Sequence, residues 1–181
     1  MSQLTPKFKI TLGNHDQLKE VIKHYQTELG SNQQELYYSY EDEYLKYIFL
    51  DSSNDKISEP QFNWLKTALQ TTKNIVLFIH HPILEVNTAV DKLYFLQNRV
   101  ELRTALHACT KPITIFCAHY HMDDEQMVGA IRQYITPALS YQIKKDSTAV
   151  EIENNSFGYR IITIVKDNVL SAVKVFNASK P

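Results

Sequence analysis

Two short apolar runs, residues 74–80 and 112–117, constrain the fold of this chain more than any other feature. Both are rich in Ile and Val, and neither alternates apolar with polar side chains as a strand wet on one face must. They read as strands covered on both faces, which requires layers above and below a sheet. A helix near residues 93–107 lies between them. Upstream, Leu18, Val21, Ile22, Tyr25 and Leu29 follow helical spacing toward Gly30, a residue suited to a C-terminal cap. Two aromatic-rich runs, residues 36–40 and 44–50, flank Glu41-Asp42-Glu43 and predict a hairpin. Ser58 before Glu59-Pro60-Gln61 predicts a helix start with a capping box, and places Phe62, Leu65 and Leu69 on one face with Trp64 and Ala68 beside them. Short strands are expected at residues 126–129, 132–136, 159–165 and 169–175, the last pair joined by a turn at Lys166-Asp167-Asn168. The order is α/β through two thirds of the chain and β-rich at its end.

A length of 181 residues and a mass of 21.0 kDa suit a single domain over residues 1–181. The 44% hydrophobic content excludes a disordered chain, and 4 Gly with 6 Pro exclude a collagen-like or linker sequence. A net charge of −1 provides no general attraction for nucleic acid or anionic membrane. Apolar runs such as residues 75–79 are too short to cross a bilayer. Cys109 and Cys117 cannot form a disulfide framework, so a reducing, cytoplasmic setting is expected. Met1-Ser2-Gln3-Leu4-Thr5-Pro6 has neither the basic nor the apolar region of a signal peptide. Strand-like alternation of Phe8, Ile10 and Leu12 follows at once and ends on Gly13-Asn14-His15-Asp16.

Five of the seven histidines fall in three clusters: His15; His80 and His81; His119 and His121. Each cluster follows an expected strand. Ligands of open α/β sheets gather at the carboxyl ends of strands, so the three loops are expected to face one crevice, with Asp51 at a fourth strand end. Several imidazoles with an Asn and carboxylates form the donor set of a divalent-metal site. In an extended loop the spacing of His119 and His121 turns both rings to one side, although two surface histidines would look the same. Likewise Asp16 suits a helix cap as well as a bond to the His15 ring. His24 and His107 fall on helices without a partner pattern, and Asp123, Asp124 and Glu125 read as a solvated turn.

In this order the motifs resemble those of the calcineurin-like metallophosphoesterases, and most closely the cyclic-nucleotide phosphodiesterase-like branch. The resemblance covers roughly residues 4–138. Gly13-Asn14-His15-Asp16 matches the GNHD element. Leu50-Asp51-Ser52, Gln61 and Trp64-Leu65 are similar to the LDS and Q-x-x-WL elements. Ile79-His80-His81-Pro82 matches HHP, His119-Tyr120-His121 matches GHxH, and Thr136-Pro137-Ala138 is similar to the small-residue loop that follows.

The resemblance implies a four-layer α-β-β-α sandwich of two mixed sheets and hydrolysis of a small phosphomonoester or phosphodiester by metal-activated water. It implies a dinuclear site of Mn, Fe, Zn or Co. Asn14, His80 and His119 would hold one metal together with a bridging Asp, and His121 would serve the other. His15 would act on the leaving oxygen as the catalytic residue, Asp16 would hold its ring, and His81 would be a substrate or supporting residue. Two departures stand out. The Gly of GHxH is Ala118, a mild change where the backbone avoids positive φ. The D-x-H and G-D-x-x-D elements with which the family begins are not found in this sequence, so the fold is expected without its N-terminal strands and with half a metal site. A non-catalytic scaffold chain is the alternative, and a mononuclear zinc hydrolase using His80, His119 and His121 is a third reading. An exposed sheet edge would favour homo-oligomers.

Overall fold

A computed structural model of the chain describes residues 8–25 and 34–177. Helix α1 (Leu18–Tyr25) follows the first histidine turn. Leu29 and Gly30, expected to close it, lie outside the described residues.

The centre is a six-stranded mixed sheet built from β1 (Tyr38–Glu41), β2 (Leu45–Phe49), β3 (Asn74–Phe78), β4 (Ile113–Cys117), β5 (Asp124–Val128) and β6 (Ile131–Ile135). Its order is β1-β2-β3-β4-β6-β5. Strands β2, β3, β4 and β6 run parallel, while β1 and β5 close the edges antiparallel. Parallel strands need cover on both faces, and Ile75, Val76 and Leu77 are at most 1% exposed.

One face is covered by α2 (Glu59–Ala68), α3 (Ala89–Leu93) and α4 (Arg99–Ala108), whose Leu65, Val90, Leu102 and Leu106 join Ile75, Leu77, Ile113 and Ile115 in one buried cluster. The Ser58 hydroxyl caps α2 by accepting from the Gln61 N–H. The expected capping box is only half made. The Gln61 amide instead donates to the Asp51 carbonyl at 2.9 Å and accepts from the Asp51 N–H at 2.8 Å. The single helix expected over 93–107 is two helices. Thr88 caps α3 at the Asp91 N–H, and the Asn98 side chain, which would otherwise cap α4, pairs with both backbone groups of Ile57.

The other face carries an aromatic row in which Phe49, Phe78, Phe116 and Tyr134 stack in turn with centroids 4.8, 5.6 and 5.4 Å apart. A two-stranded ribbon lies over it, and Ile162 and Val169 pack on that row. A third, small pairing joins Gln142–Ile143 to Ile152–Glu153. In chain order these strands are β7 (Gln142–Ile143), β8 (Ile152–Glu153), and the ribbon β9 (Ser156–Val165) with β10 (Asn168–Asn177). The result is a mixed α/β sandwich: helices, central sheet, second β layer. No helix among the described residues is long and apolar enough to cross a membrane.

Residues 8–12 form no strand. No neighbouring strand among the described residues offers them a ladder. The Tyr38 hydroxyl takes that place, donating to the Ile10 carbonyl at 3.1 Å and accepting from its N–H at 3.2 Å.

Candidate functional site

Strands β3 and β4 are parallel neighbours, so the residues that follow them emerge at the same sheet edge. His80 follows the end of β3 and His119 the end of β4, and the Ala118 N–H bonds the His80 carbonyl at 3.0 Å, carrying the pairing one step beyond the strands. The turn at residues 13–16 brings the third loop to this edge. It is closed by the Asp16 N–H on the Gly13 carbonyl at 2.9 Å and the Gly13 N–H on Asp16 Oδ2 at 2.8 Å.

Three donor atoms meet here. His80 Nε2 lies 3.1 Å from Asn14 Oδ1 and 3.2 Å from His119 Nδ1. Atoms held by one cation at about 2.1 Å stand roughly 3.0–3.4 Å apart for octahedral to tetrahedral angles, so the spacing suits a shared metal ligand set. The His119 tautomer follows from its other nitrogen. Nε2 is 2.9 Å from the Tyr94 carbonyl, which can only accept, so Nε2 carries the proton and Nδ1 keeps its lone pair for the cluster. By the same logic His121 Nδ1 donates to the Tyr141 carbonyl at 3.0 Å and leaves Nε2 available.

Burial, reinforced by the neighbouring His119 and His81 rings, lowers the His80 pKa to about 3. Burial also lowers His119 and His121. Neutral imidazoles are the form that binds metal. His119 and His121 both sit at positive φ, 62° and 47°, whereas Ala118 does not, so alanine is free to replace glycine there.

Asn14, His15, His80, His119 and His121 line one cavity of about 250 Å³. The extended-loop reason given for His119 and His121 does not apply, because left-handed backbone on either side of Tyr120 turns the rings. The rest of the cavity lining is mostly apolar: Val90, Tyr94, Tyr141, Ile143, Val150 and Ile152. Most of it belongs to the β7–β8 hairpin, tied to the site by the Ile143 N–H on the His121 carbonyl at 3.1 Å. Sequence reasoning missed this wall. Its only linear trace was the apolar triplet Leu93-Tyr94-Phe95 at a helix end, all three exposed in the fold.

Other expected site residues stand elsewhere. Asp16 makes no hydrogen bond to His15; its carboxylate holds the Gly13 turn. His81 is fully buried and is not among the residues that line the cavity, a place that suits the supporting role rather than substrate contact. It packs behind the site, ring centroid 4.0 Å from His119, with Nδ1 2.9 Å from the Ser52 hydroxyl. Asp55 Oδ1 approaches His81 Nε2 to 3.0 Å at an angle that makes no hydrogen bond. Burial outweighs that half-exposed carboxylate and lowers the His81 pKa to about 3. Asp51 is not a cleft residue: its carboxylate accepts from the N–H groups of Leu36 and Ser53 and from the Ser53 hydroxyl. Among the described residues no group of three His, Cys, Asp or Glu side chains is placed to hold a metal. The mononuclear zinc reading of His80, His119 and His121 therefore gains no support from this arrangement. The third member of the observed cluster is the Asn14 amide.

No protein-family model matches the chain. It is 28% identical over 154 residues to a probable cyclic nucleotide phosphodiesterase of Fibrobacter succinogenes, covering 83% of this chain and 59% of that protein. It is 26% identical over 167 residues to a probable cyclic nucleotide phosphodiesterase of Colwellia psychrerythraea, covering 88% and 63%. A 3',5'-cyclic-nucleotide phosphodiesterase of Nostoc is 25% identical over 113 residues, 61% of this chain and 42% of that protein. The chain thus spans about three fifths of the length of the first two relatives. A dimetal phosphatase from Danio rerio is similar in structure over 65% of this chain and 38% of its own, with a TM-score of 0.41 and 12% identity.

Proposed function

We propose that this chain, related by sequence to the calcineurin-like metallophosphoesterases, carries one metal-ligand set and the leaving-group histidine of a metal-dependent phosphodiesterase. The observation that supports this most is the approach of both Asn14 Oδ1 and His119 Nδ1 to His80 Nε2, at 3.1 and 3.2 Å, beside His15 in the same cavity. A divalent cation bound by those atoms would activate water and offset charge on the phosphoryl oxygens. His15, exposed at the cavity rim, would hold a proton for the departing oxygen. The Tyr94 and Tyr141 carbonyls fix the His119 and His121 tautomers before any ligand arrives. The apolar wall excludes water from one side of the ester and takes its organic part. A diester is the favoured substrate class because the relatives named above carry that activity in their names.

A second reading, a metal-binding chain with little turnover of its own, is favoured by one observation: no carboxylate is among the residues lining the cavity. A neutral donor set leaves the cation's charge uncompensated, so affinity should be modest. The relatives contain sequence beyond the part matched here, and we assign a bridging carboxylate to that part.

The test is manganese binding by calorimetry together with hydrolysis of bis(p-nitrophenyl) phosphate by the 181-residue chain and its His119→Ala and His15→Ala variants. Both readings expect metal binding that His119→Ala weakens at least tenfold and His15→Ala leaves intact. Turnover lost in His15→Ala supports the enzyme; binding without turnover supports the second reading. Binding unchanged by His119→Ala would sink both.

A further inference from the structure

The residue between the two loop histidines has no part in the ligand set, yet its side chain is fully buried and hydrogen-bonded. We propose that Tyr120 is a positioning residue: through Asp91 it ties the His119–His121 loop to helix α3 and so aims both imidazoles into the cleft.

Tyr120 is fully buried, and its hydroxyl donates to Asp91 Oδ1 at 2.6 Å. Asp91 is itself 4% exposed and held from two other sides, by the Arg99 guanidinium at 2.5 Å on Oδ1 and by the Val86 N–H at 3.0 Å on Oδ2. The acceptor is thus oriented before Tyr120 reaches it. The residues on either side of Tyr120 are both left-handed, with φ of 62° at His119 and 47° at His121. Non-glycine residues seldom adopt this region and keep it only where surrounding contacts impose it.

Those contacts converge on α3. Asp91 grips the middle of the loop, and the Tyr94 carbonyl just beyond the same helix grips His119 Nε2. A loop fixed at both points cannot relax to right-handed backbone without breaking a buried hydrogen bond. Without the Tyr120 anchor the loop keeps its backbone ties to Ile143 and His80 and the ring-to-carbonyl bonds of the two histidines, but loses its one side-chain hold on helix α3 through Asp91.

The functional consequence rests on the metal-dependent reading above; the placement of the rings does not. Long-range proton–nitrogen spectra of the metal-free, nitrogen-15-labelled chain report which ring nitrogen carries the proton. The native chain should show His119 protonated on Nε2 and His121 on Nδ1. Tyr120→Phe keeps the ring volume and removes only the hydroxyl. It should mix both tautomers, and cobalt affinity should fall by about 10- to 100-fold with a changed visible spectrum, the range for lost supporting partners of metal ligands. Val76→Ala, a change in the separate cluster on the other face of the sheet, should lower the thermal midpoint and leave tautomers and cobalt spectrum alone. Should Tyr120→Phe fail to fold, Arg99→Lys loosens Asp91 without touching Tyr120 and carries the same comparison.

Native tautomers and an unchanged cobalt spectrum in the variant, alongside a lowered thermal midpoint, would overturn the proposal and leave Tyr120 a core residue. If the native chain takes up no cobalt, the metal-dependent reading fails, and the ring tautomers alone decide: retained in the variant they refute positioning, mixed they support it.

Discussion

The His80 imidazole occupies the space in which a side chain at Gly13 would stand: a Cβ there would lie 2.7 Å from both Cγ and Nδ1 of the ring. The glycine of the first loop is therefore required by a ring sixty-seven positions later in the chain (80 minus 13). This close approach also places Asn14, the next residue, at the His80 nitrogen.

Gly13→Ala should accordingly push the His80 ring off its position. Overpacking a filled site costs about 1–3 kcal/mol, and the displaced Nε2 would leave Asn14 and His119 without their common neighbour. Urea denaturation and cobalt titration of the same variant check this. We expect a lower midpoint together with weaker metal binding, and native values in both would show that the ring moves aside freely.

Acid should destabilise the metal-free chain through its buried imidazoles. His80 and His81 titrate near 3 in the fold because burial disfavours their charged forms, against about 6.5 in an unfolded chain. Between those values the unfolded state binds more protons, so stability rises with pH. It is fully present above about 6.5 and drains as pH falls toward 3, with a slope of up to two protons from these two groups. Urea midpoints between pH 7.5 and 4.5 in the presence of a chelator measure it. His81→Asn should flatten the slope; an unchanged slope would mean that His81 takes up its proton in the fold.

The apolar wall predicts selectivity among phosphoryl ligands. Covering about 60 Å² more apolar surface is worth roughly 1.5 kcal/mol, about tenfold in affinity. Phenylphosphonate should therefore bind the manganese-loaded chain about tenfold better than methylphosphonate, and the neutral change Ile152→Asn should shrink the difference while leaving methylphosphonate nearly unaffected. Equal binding of the two by the native chain would contradict a ligand-facing role for Tyr141, Ile143 and Ile152.

The outer face of the β9–β10 ribbon predicts self-association. Alternation along the ribbon puts Tyr159, Ile161, Leu170 and Phe176 on one side, each at least 41% exposed. A face of exposed apolar side chains favours pairing with another copy. Sedimentation velocity over a range of protein concentrations should show a rising sedimentation coefficient that Ile161→Lys suppresses. Concentration-independent monomer would leave this face without the expected role.

How far the linear pattern reached is clearest at particular residues. Runs such as Ile75–Leu77 announced buried strands because the absence of alternation is itself a statement about cover on both faces. Likewise Ser58 and Pro60 announced α2, because a cap is a local interaction. Local chemistry of this kind is written in neighbouring residues, and so were the three histidine clusters and the places of two of them after β3 and β4; the strand expected before His15 is not formed.

Long-range competition decided the rest. Gln61 turned from its own helix end to the Asp51 backbone, and Asn98 left the start of α4 for Ile57, because a distant partner with two complementary groups outbids a nearby one with one. Asp16 and Asp51, both carboxylates placed by sequence beside a site, hold backbone N–H groups instead. The sequence by itself determined which side chains could form a donor set, and the strands β3 and β4 that lead to His80 and His119. Only the tertiary structure decided that Asn14, His80 and His119 meet while His81 is sealed behind them, and that a hairpin over a hundred residues from Asn14 walls the cavity. Parallel pairing of β3 with β4, the left-handed turns about Tyr120 and the absence of a side chain at Gly13 bring this about, and each depends on neighbours that are remote in the chain.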